Sequence, residues 1–172
     1  MMKPSVSEGL DLEGIVRAHQ AEIWRYLRFL GCEPALVDDI VQETFLSILE
    51  RPFEDRSHVS TAAYLRRVAR NLYLMSLRKS ARAPVFEDLE AADRVWSRYA
   101  REDGGENYVQ TLRECFGHLK HKARESLMLR FREGLSRVQI ATKLGMTENG
   151  TKSLMRRARQ MLRDCVTRRM PS

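Results

Sequence analysis

The sequence predicts an all-α protein of two small helical domains joined by a linker, the second domain carrying a helix-turn-helix. Three observations lead there. Apolar residues recur at helical spacing along most of the 172 residues, and no run alternates convincingly with period two. Glycine and proline are sparse, nine and five in all, so few positions break the periodicity. Between two basic stretches lies an acidic segment with Pro84 and Gly104-Gly105, the composition of a connector.

Each element follows from its own residues. Leu10 to Leu30 reads as the first helix, with Leu12, Ile15, Val16, Ile23, Leu27 and Leu30 as its apolar stripe and Gly31 to end it. A second helix starts at Pro34, a residue suited to a first turn, and runs to about Leu49, ahead of Pro52. Phe53 to Ser60 is a polar loop. Thr61 to about Ser80 is the third helix, with Tyr64, Leu65, Val68, Leu72, Met75 and Leu77 offered to a core. These three helices bury a common face and make the first domain, residues 1–82.

Residues 83–107 form the acidic linker. Within it Asp88 to Arg101 has helical spacing, with Leu89, Val95, Trp96 and Tyr99 as apolar contacts, and its docking partner is open at this level. The second domain, 108–172, has a helix to about Leu119 and another from Ala123 to Phe131. Two more helices follow between Ser136 and Arg163. Ser136 with Gln139 makes a capping box, and Val138, Ile140, Ala141 and Leu144 supply the apolar positions. Gly145 permits the turn and Thr147 caps the next helix. On that helix Thr151, Leu154, Met155, Ala158, Met161 and Leu162 fall on one arc. Lys152, Ser153, Arg156, Arg157, Arg159, Gln160 and Arg163 fall on the other. Such a helix suits a DNA major groove.

Charge supports a polyanionic partner. The net charge is +7 and the pI about 9.7. From Thr61 to Arg82 the chain holds Arg66, Arg67, Arg70, Arg78, Lys79 and Arg82 with no acid. Two basic blocks separated by an acidic connector suit two contacts with one nucleic acid. No segment approaches the roughly 18 apolar residues of a membrane span. The start, MMKPSVSEGLDLEG, lacks the apolar core of a signal peptide, so no membrane insertion and a cytoplasmic location are expected. Cys32, Cys115 and Cys165 are odd in number and widely spaced, which suggests a reducing compartment and no disulfide framework.

The second helix has an acidic side. Asp38, Asp39, Gln42 and Glu43 gather opposite the apolar face, with Leu46 among them. Two readings stand: a solvated face, or an acidic rim around a leucine for a basic helical partner. A metal or acid–base pair is set aside, since no His, Cys or Gly-rich loop completes a site. Cys115, His118 and His121 drift around their helix without a fourth ligand, so they read as a packed cysteine with two surface histidines. With no P-loop, GxGxxG or Ser-His-Asp arrangement, the chain is expected not to be an enzyme and to need no cofactor.

Three motifs in order carry a resemblance. DDIVQETFLSIL (38–49), AYLRRVARNLYLMSLRK (63–79) and ESLMLRFREGLSRVQIATKLGMTENGTKSLMRRARQMLR (125–163) are similar to those of the extracytoplasmic-function group of sigma-70-type RNA polymerase sigma factors. The resemblance implies that Asp38, Asp39, Gln42 and Glu43 bind core RNA polymerase. It implies −10 DNA contacts for Tyr64, Arg67, Asn71, Arg78 and Lys79, with Asn71 reading a flipped base. It implies −35 contacts for Lys152, Ser153, Arg156 and Arg157, and an anti-sigma factor as a further partner. An asparagine offers both a donor and an acceptor to a base edge, although Asn71 also suits an ordinary exposed helix position. Arg66 and Arg70 suit a single-strand backbone, and Tyr64 or Tyr73 a stacked base. Thr151 departs from the aliphatic residue usual in the family, and Lys120-His121-Lys122 from its Leu-Pro turn. The alternative is a stand-alone helix-turn-helix regulator that binds duplex DNA as a dimer.

Overall fold

In the structure, a computed structural model, residues 10–50, 53–55, 57–81, 89–100 and 103–170 are described. Arg82, Pro52, Pro84 and the expected linker start at 83 lie outside them, as does the stretch preceding Leu10. Among the described residues there are eight helices and no strand. They are α1 (Leu12–Phe29), α2 (Pro34–Glu50), α3 (His58–Lys79), α4 (Leu89–Tyr99), α5 (Glu106–Gly117), α6 (His121–Phe131), α7 (Arg137–Leu144) and α8 (Glu148–Arg169). The chain divides into two units, Met1–Gly105 and Glu106–Ser172.

In the first unit α1, α2 and α3 pack on one another pairwise. Asp11 caps α1 by accepting the Gly14 N–H at 2.9 Å, so the helix starts at Leu12. The helix ends in a Schellman arrangement. Gly31 has φ +91°, and the Cys32 and Gly31 N–H groups donate to Leu27 and Arg28 carbonyls. Ile15, Ile23 and Leu27 of α1 and Leu30 at its end are buried, as are Val37, Ile40, Val41, Phe45 and Ile48 of α2, where the two helices pack. Each such aliphatic side chain, fully buried, contributes about 1.5–3 kcal/mol.

The buried face of α3 differs from the expected one. Leu65, Ala69, Tyr73 and Leu77 form a buried i, i+4 row, Val68 and Leu72 flank it half-buried, and Met75 is 50% exposed. Counting large apolar residues alone merged two faces, because the alanine that continues the true row is small. Tyr73 is therefore core and cannot stack on a base.

A polar network fastens α3 and α4 to α1. Arg66 donates from Nη1 to Glu22 Oε1 at 2.7 Å and from Nη2 to Ser97 Oγ at 3.3 Å. Its Nε faces Asp93 Oδ1 at 4.0 Å, and the Tyr26 hydroxyl donates to that same oxygen at 2.9 Å. The Arg66 and Glu22 side chains keep only 11% and 5% of their exposure. Arg66 is thus an internal ion-pair residue, which corrects its assignment to a nucleic-acid backbone. Burial and Asp93 together push the Tyr26 hydroxyl well above the usual tyrosine range.

The helix within the acidic segment belongs to the first unit. Trp96 of α4 is fully buried, edge-on to Tyr26 and tilted against Phe29. Arg25 donates to the Gly104 and Asp103 carbonyls, closing the turn after α4 onto α1. Gly105 has φ +83°, and a Cβ there would sit 2.5 Å from the Trp96 ring, so this position requires glycine on two counts.

His19 is buried on α1, its ring 4.4 Å from that of His58 on α3, and its Nδ1 has no hydrogen-bond partner among the described residues. Burial first, then His58, lowers its pKa below the usual 6.5, against the opposing pull of Glu22 and Asp55. The unfolded chain therefore binds a proton that the folded chain resists. Stability from neutral His19 is complete above 6.5 and is lost as the pH falls below it. Urea unfolding at a series of pH values is expected to show this decline, and His19→Leu to flatten it. An unchanged slope in the variant would assign the decline to other groups.

The second unit closes around Leu119, Ala123, Leu127, Leu129, Ile140, Leu144, Met155 and Ala158. The capping box is present, with the Gln139 N–H donating to Ser136 Oγ at 3.3 Å and the Ser136 N–H to Gln139 Oε1 at 2.8 Å. Gly145 adopts φ +61° in a second Schellman turn, where the Met146 N–H donates to the Ala141 carbonyl. Thr147 caps α8 through the Gly150 N–H at 3.1 Å. Val138 and Met161, expected in the core, are 59% and 51% exposed. Each lies at the edge of its apolar arc, where the short α7 and the far half of α8 leave it uncovered.

Cys115 of α5 and Cys165 of α8 form a disulfide, which overturns the expectation drawn from three widely spaced cysteines. A separation of 50 residues disappears once α5 and α8 pack side by side, with Cα atoms 5.9 Å apart. Cys32 is the free cysteine, and burial pushes its thiol up to about 11.

Candidate functional site

Three exposed faces carry the residues singled out by sequence. The first is the outer side of α2. Its inner side is held in the core by Val37, Ile40, Val41, Thr44, Phe45 and Ile48, and this leaves Asp38, Asp39, Gln42 and Glu43 exposed. Leu46 and Leu49 lie uncovered on the same helix, at 54% and 39% exposure. Trp24 of α1 joins this face and was missed by sequence reasoning. Its indole Nε1 donates to Asp38 Oδ1 at 3.0 Å, the residue is 39% exposed, and the Arg28 guanidinium sits 6.0 Å from the ring centre. The available signal was an aromatic residue off the apolar stripe of α1. The arrangement is an oriented carboxylate beside an exposed indole, with two exposed leucines further along α2, suited to a helical partner with basic and apolar side chains.

The second face runs along α3. With Leu65, Ala69 and Tyr73 turned inward, Tyr64, Arg67, Asn71, Met75 and Arg78 follow one another at three- and four-residue steps on the opposite side. Lys79 borders them, and all but half-buried Tyr64 are exposed. The Arg67 guanidinium lies 5.6 Å from the Tyr64 ring centre, and the ring of Phe53, from the loop ahead of α3, lies tilted 5.2 Å from it. The stripe therefore has a stacking end, a side-chain amide in the middle and a cationic end. That order of groups suits a single strand, whose bases stack and whose phosphates need cations. Arg70 is half-buried and stands off the stripe.

The third face is the N-terminal half of α8. Lys152, Arg156 and Arg157 are exposed and Ser153 is half-buried, with Arg159 and Arg163 exposed further along. Thr151 is fully buried, and its hydroxyl donates to the Thr147 carbonyl at 3.0 Å. The departure from an aliphatic residue is absorbed in this way. The hydroxyl is satisfied within the first turn and the methyl packs, so the helix keeps its register. At the start of α8 Arg137 of α7 approaches Glu148 at 3.6 Å.

Comparison with known proteins agrees in order along the chain. Residues 15–83 match Sigma-70 region 2, and residues 110–162 match Sigma-70 region 4. The ECF RNA polymerase sigma factor SigE of Mycolicibacterium smegmatis is 26% identical over 161 residues, covering 90% of this chain and 61% of that protein. The probable RNA polymerase sigma factor RfaY of Xanthomonas campestris is 28% identical, covering 90% and 40%. SigL of Mycobacterium tuberculosis is 26% identical, covering 92% and 90%. The chain thus spans about three-fifths and two-fifths of the first two relatives, and nearly all of the third. Region 2 covers α1, α2 and α3 with the stripe on α3, and region 4 covers most of α5 to α8 with the basic face of α8. With both regions present in order over most of its length, the chain belongs to the extracytoplasmic-function group of the sigma-70 family of RNA polymerase sigma factors.

Proposed function

We propose that this chain acts as a non-catalytic initiation subunit that binds core RNA polymerase, recognises −10 and −35 promoter elements and helps open the duplex. The presence of both family regions in one chain, each with an exposed face of matching chemistry, carries this reading. The α2 face with Asp38, Asp39, Gln42 and Glu43 binds the polymerase, extended by Trp24. The α3 stripe with Tyr64, Arg67, Asn71, Arg78 and Lys79 holds the melted −10 strand. The α8 face with Lys152, Ser153, Arg156 and Arg157 enters the −35 major groove. An anti-sigma factor that covers one of these faces is a further expected partner, and the place of action is the bacterial cytoplasm, where polymerase and chromosome are. No described helix is long and apolar enough to cross a membrane. A stand-alone dimeric regulator leaves the region 2 half without a use.

Transcription reconstituted from purified core enzyme and genomic fragments tests the proposal. Initiation at discrete sites that depends on this chain supports it, and the absence of any such sites sinks it. Within that assay Asn71→Ala is expected to leave upstream duplex contacts intact while lowering strand opening roughly tenfold, the worth of about one hydrogen-bonded base. Permanganate reactivity of −10 thymines measures this, and normal reactivity removes Asn71 from base capture.

A further inference from the structure

We infer that the Cys115–Cys165 pair is a reversible thiol–disulfide site that sets the stability of the helix-turn-helix unit. Its position in the chain carries the inference. The eight residues of its main hydrophobic cluster, Leu119 to Ala158, lie between the two cysteines, as do α6, α7 and the basic face of α8, while buried Tyr108 and Val166 lie just outside. The bond is a clasp drawn around that cluster. The unit has only 67 residues, Glu106–Ser172, a size at which one small core leaves little stability in reserve. Closing 50 residues of separation restricts the unfolded chain enough to shift the folding equilibrium by about a thousandfold. An ion pair between α5 and α8, Arg169 to Glu114, is 42% and 47% exposed and contributes little.

The two sulfurs differ in access. Cys115 is 2% exposed, whereas Cys165 is only half-buried, near the end of α8. A thiolate of a dithiol reductant attacks Cys165 Sγ, breaks the Sγ–Sγ bond and expels Cys115 as a thiolate, which takes a proton from water. The second thiolate of the reductant then attacks the mixed disulfide and releases Cys165. Two electrons pass to the cysteine pair, and the reductant leaves as its own disulfide. A disulfide oxidant runs the same steps backwards. Cys32, buried in the other unit, stands apart from this exchange. The consequence for promoter binding rests on the reading of α8 as the −35 helix; the consequence for stability does not.

The 172-residue chain is equilibrated in dithiothreitol buffers of varied reduced-to-oxidised ratio. Free thiols are counted by mass after alkylation, and thermal melting and binding to a duplex pool of randomised sequence are followed in parallel. The expected result is one alkylated cysteine under oxidising conditions and three under reducing ones, with the exchange completed in the native protein. Melting of the second unit should fall by more than about 10 °C on reduction. Cys165→Ser should melt as the reduced protein does whatever the buffer, and Cys32→Ser should keep the redox response. Three alkylated cysteines in every buffer, a bond that yields only after denaturation, or identical melting of the two forms would each overturn the inference. Redox-dependent melting without duplex binding in either form upholds the clasp and removes the −35 reading of α8.

Discussion

Arg66→Ala is expected to destabilise the first unit by about 3–5 kcal/mol, because it strips the partner from a carboxylate that has almost no access to water. Glu22 keeps 5% of its exposure and takes its ion pair from Arg66. The same guanidinium reaches Ser97 and faces Asp93, so the change also loosens α4 from α1. On a unit of this size the loss is a fall in melting temperature of roughly 15–30 °C, large against a total stability of about 5–15 kcal/mol. Circular dichroism on heating measures it. A pair of changes, Glu22→Gln with Arg66→Met, is expected to recover much of the stability, because no charge is then left buried. A variant that melts normally and loses only nucleic-acid binding would return Arg66 to the surface role that sequence alone suggested.

Asp39→Arg is expected to leave the fold intact and to weaken association with core RNA polymerase by on the order of a hundredfold or more. Asp39 is exposed in the middle of α2, on the side away from the core. Arginine is at least as good a helix former as aspartate, so the helix does not suffer. Facing a basic partner, the reversed charge replaces an attraction with a like-charge contact that costs several kcal/mol. Co-purification and a binding titration check the loss, and melting checks the fold. Trp24→Ala should weaken the same association by freeing the Asp38 carboxylate that the indole now orients. Undiminished binding by the charge-reversed chain would move the polymerase contact away from this face.

The local rules were legible in the sequence. The capping box at Ser136, the left-handed turns at Gly31 and Gly145 and the cap at Thr147 each depend on two to five neighbouring residues, and all are found as expected. The exposure of Asp38, Asp39, Gln42 and Glu43 followed from period alone, since the apolar side of α2 is continuous and broad. The face of α3 was harder to read. Its contact row contains alanines, which hydropathy ranks low, while Met75 carries a large apolar side chain on the exposed side. Trp24 was hidden for a different reason: its partner Asp38 sits on another helix.

Periodicity, caps and charge placement determined the eight-helix pattern, the existence of a helix-turn-helix and the basic character of its second helix, because those depend on neighbours in the chain. Contacts between residues far apart in sequence were decided by the tertiary structure alone. It turned Arg66 inward to Glu22, brought Trp24 to Asp38, docked α4 on α1 and joined Cys115 to Cys165. Such pairings depend on how helices cross and on which side chains then lose water. Spacing along one helix carries no information about either.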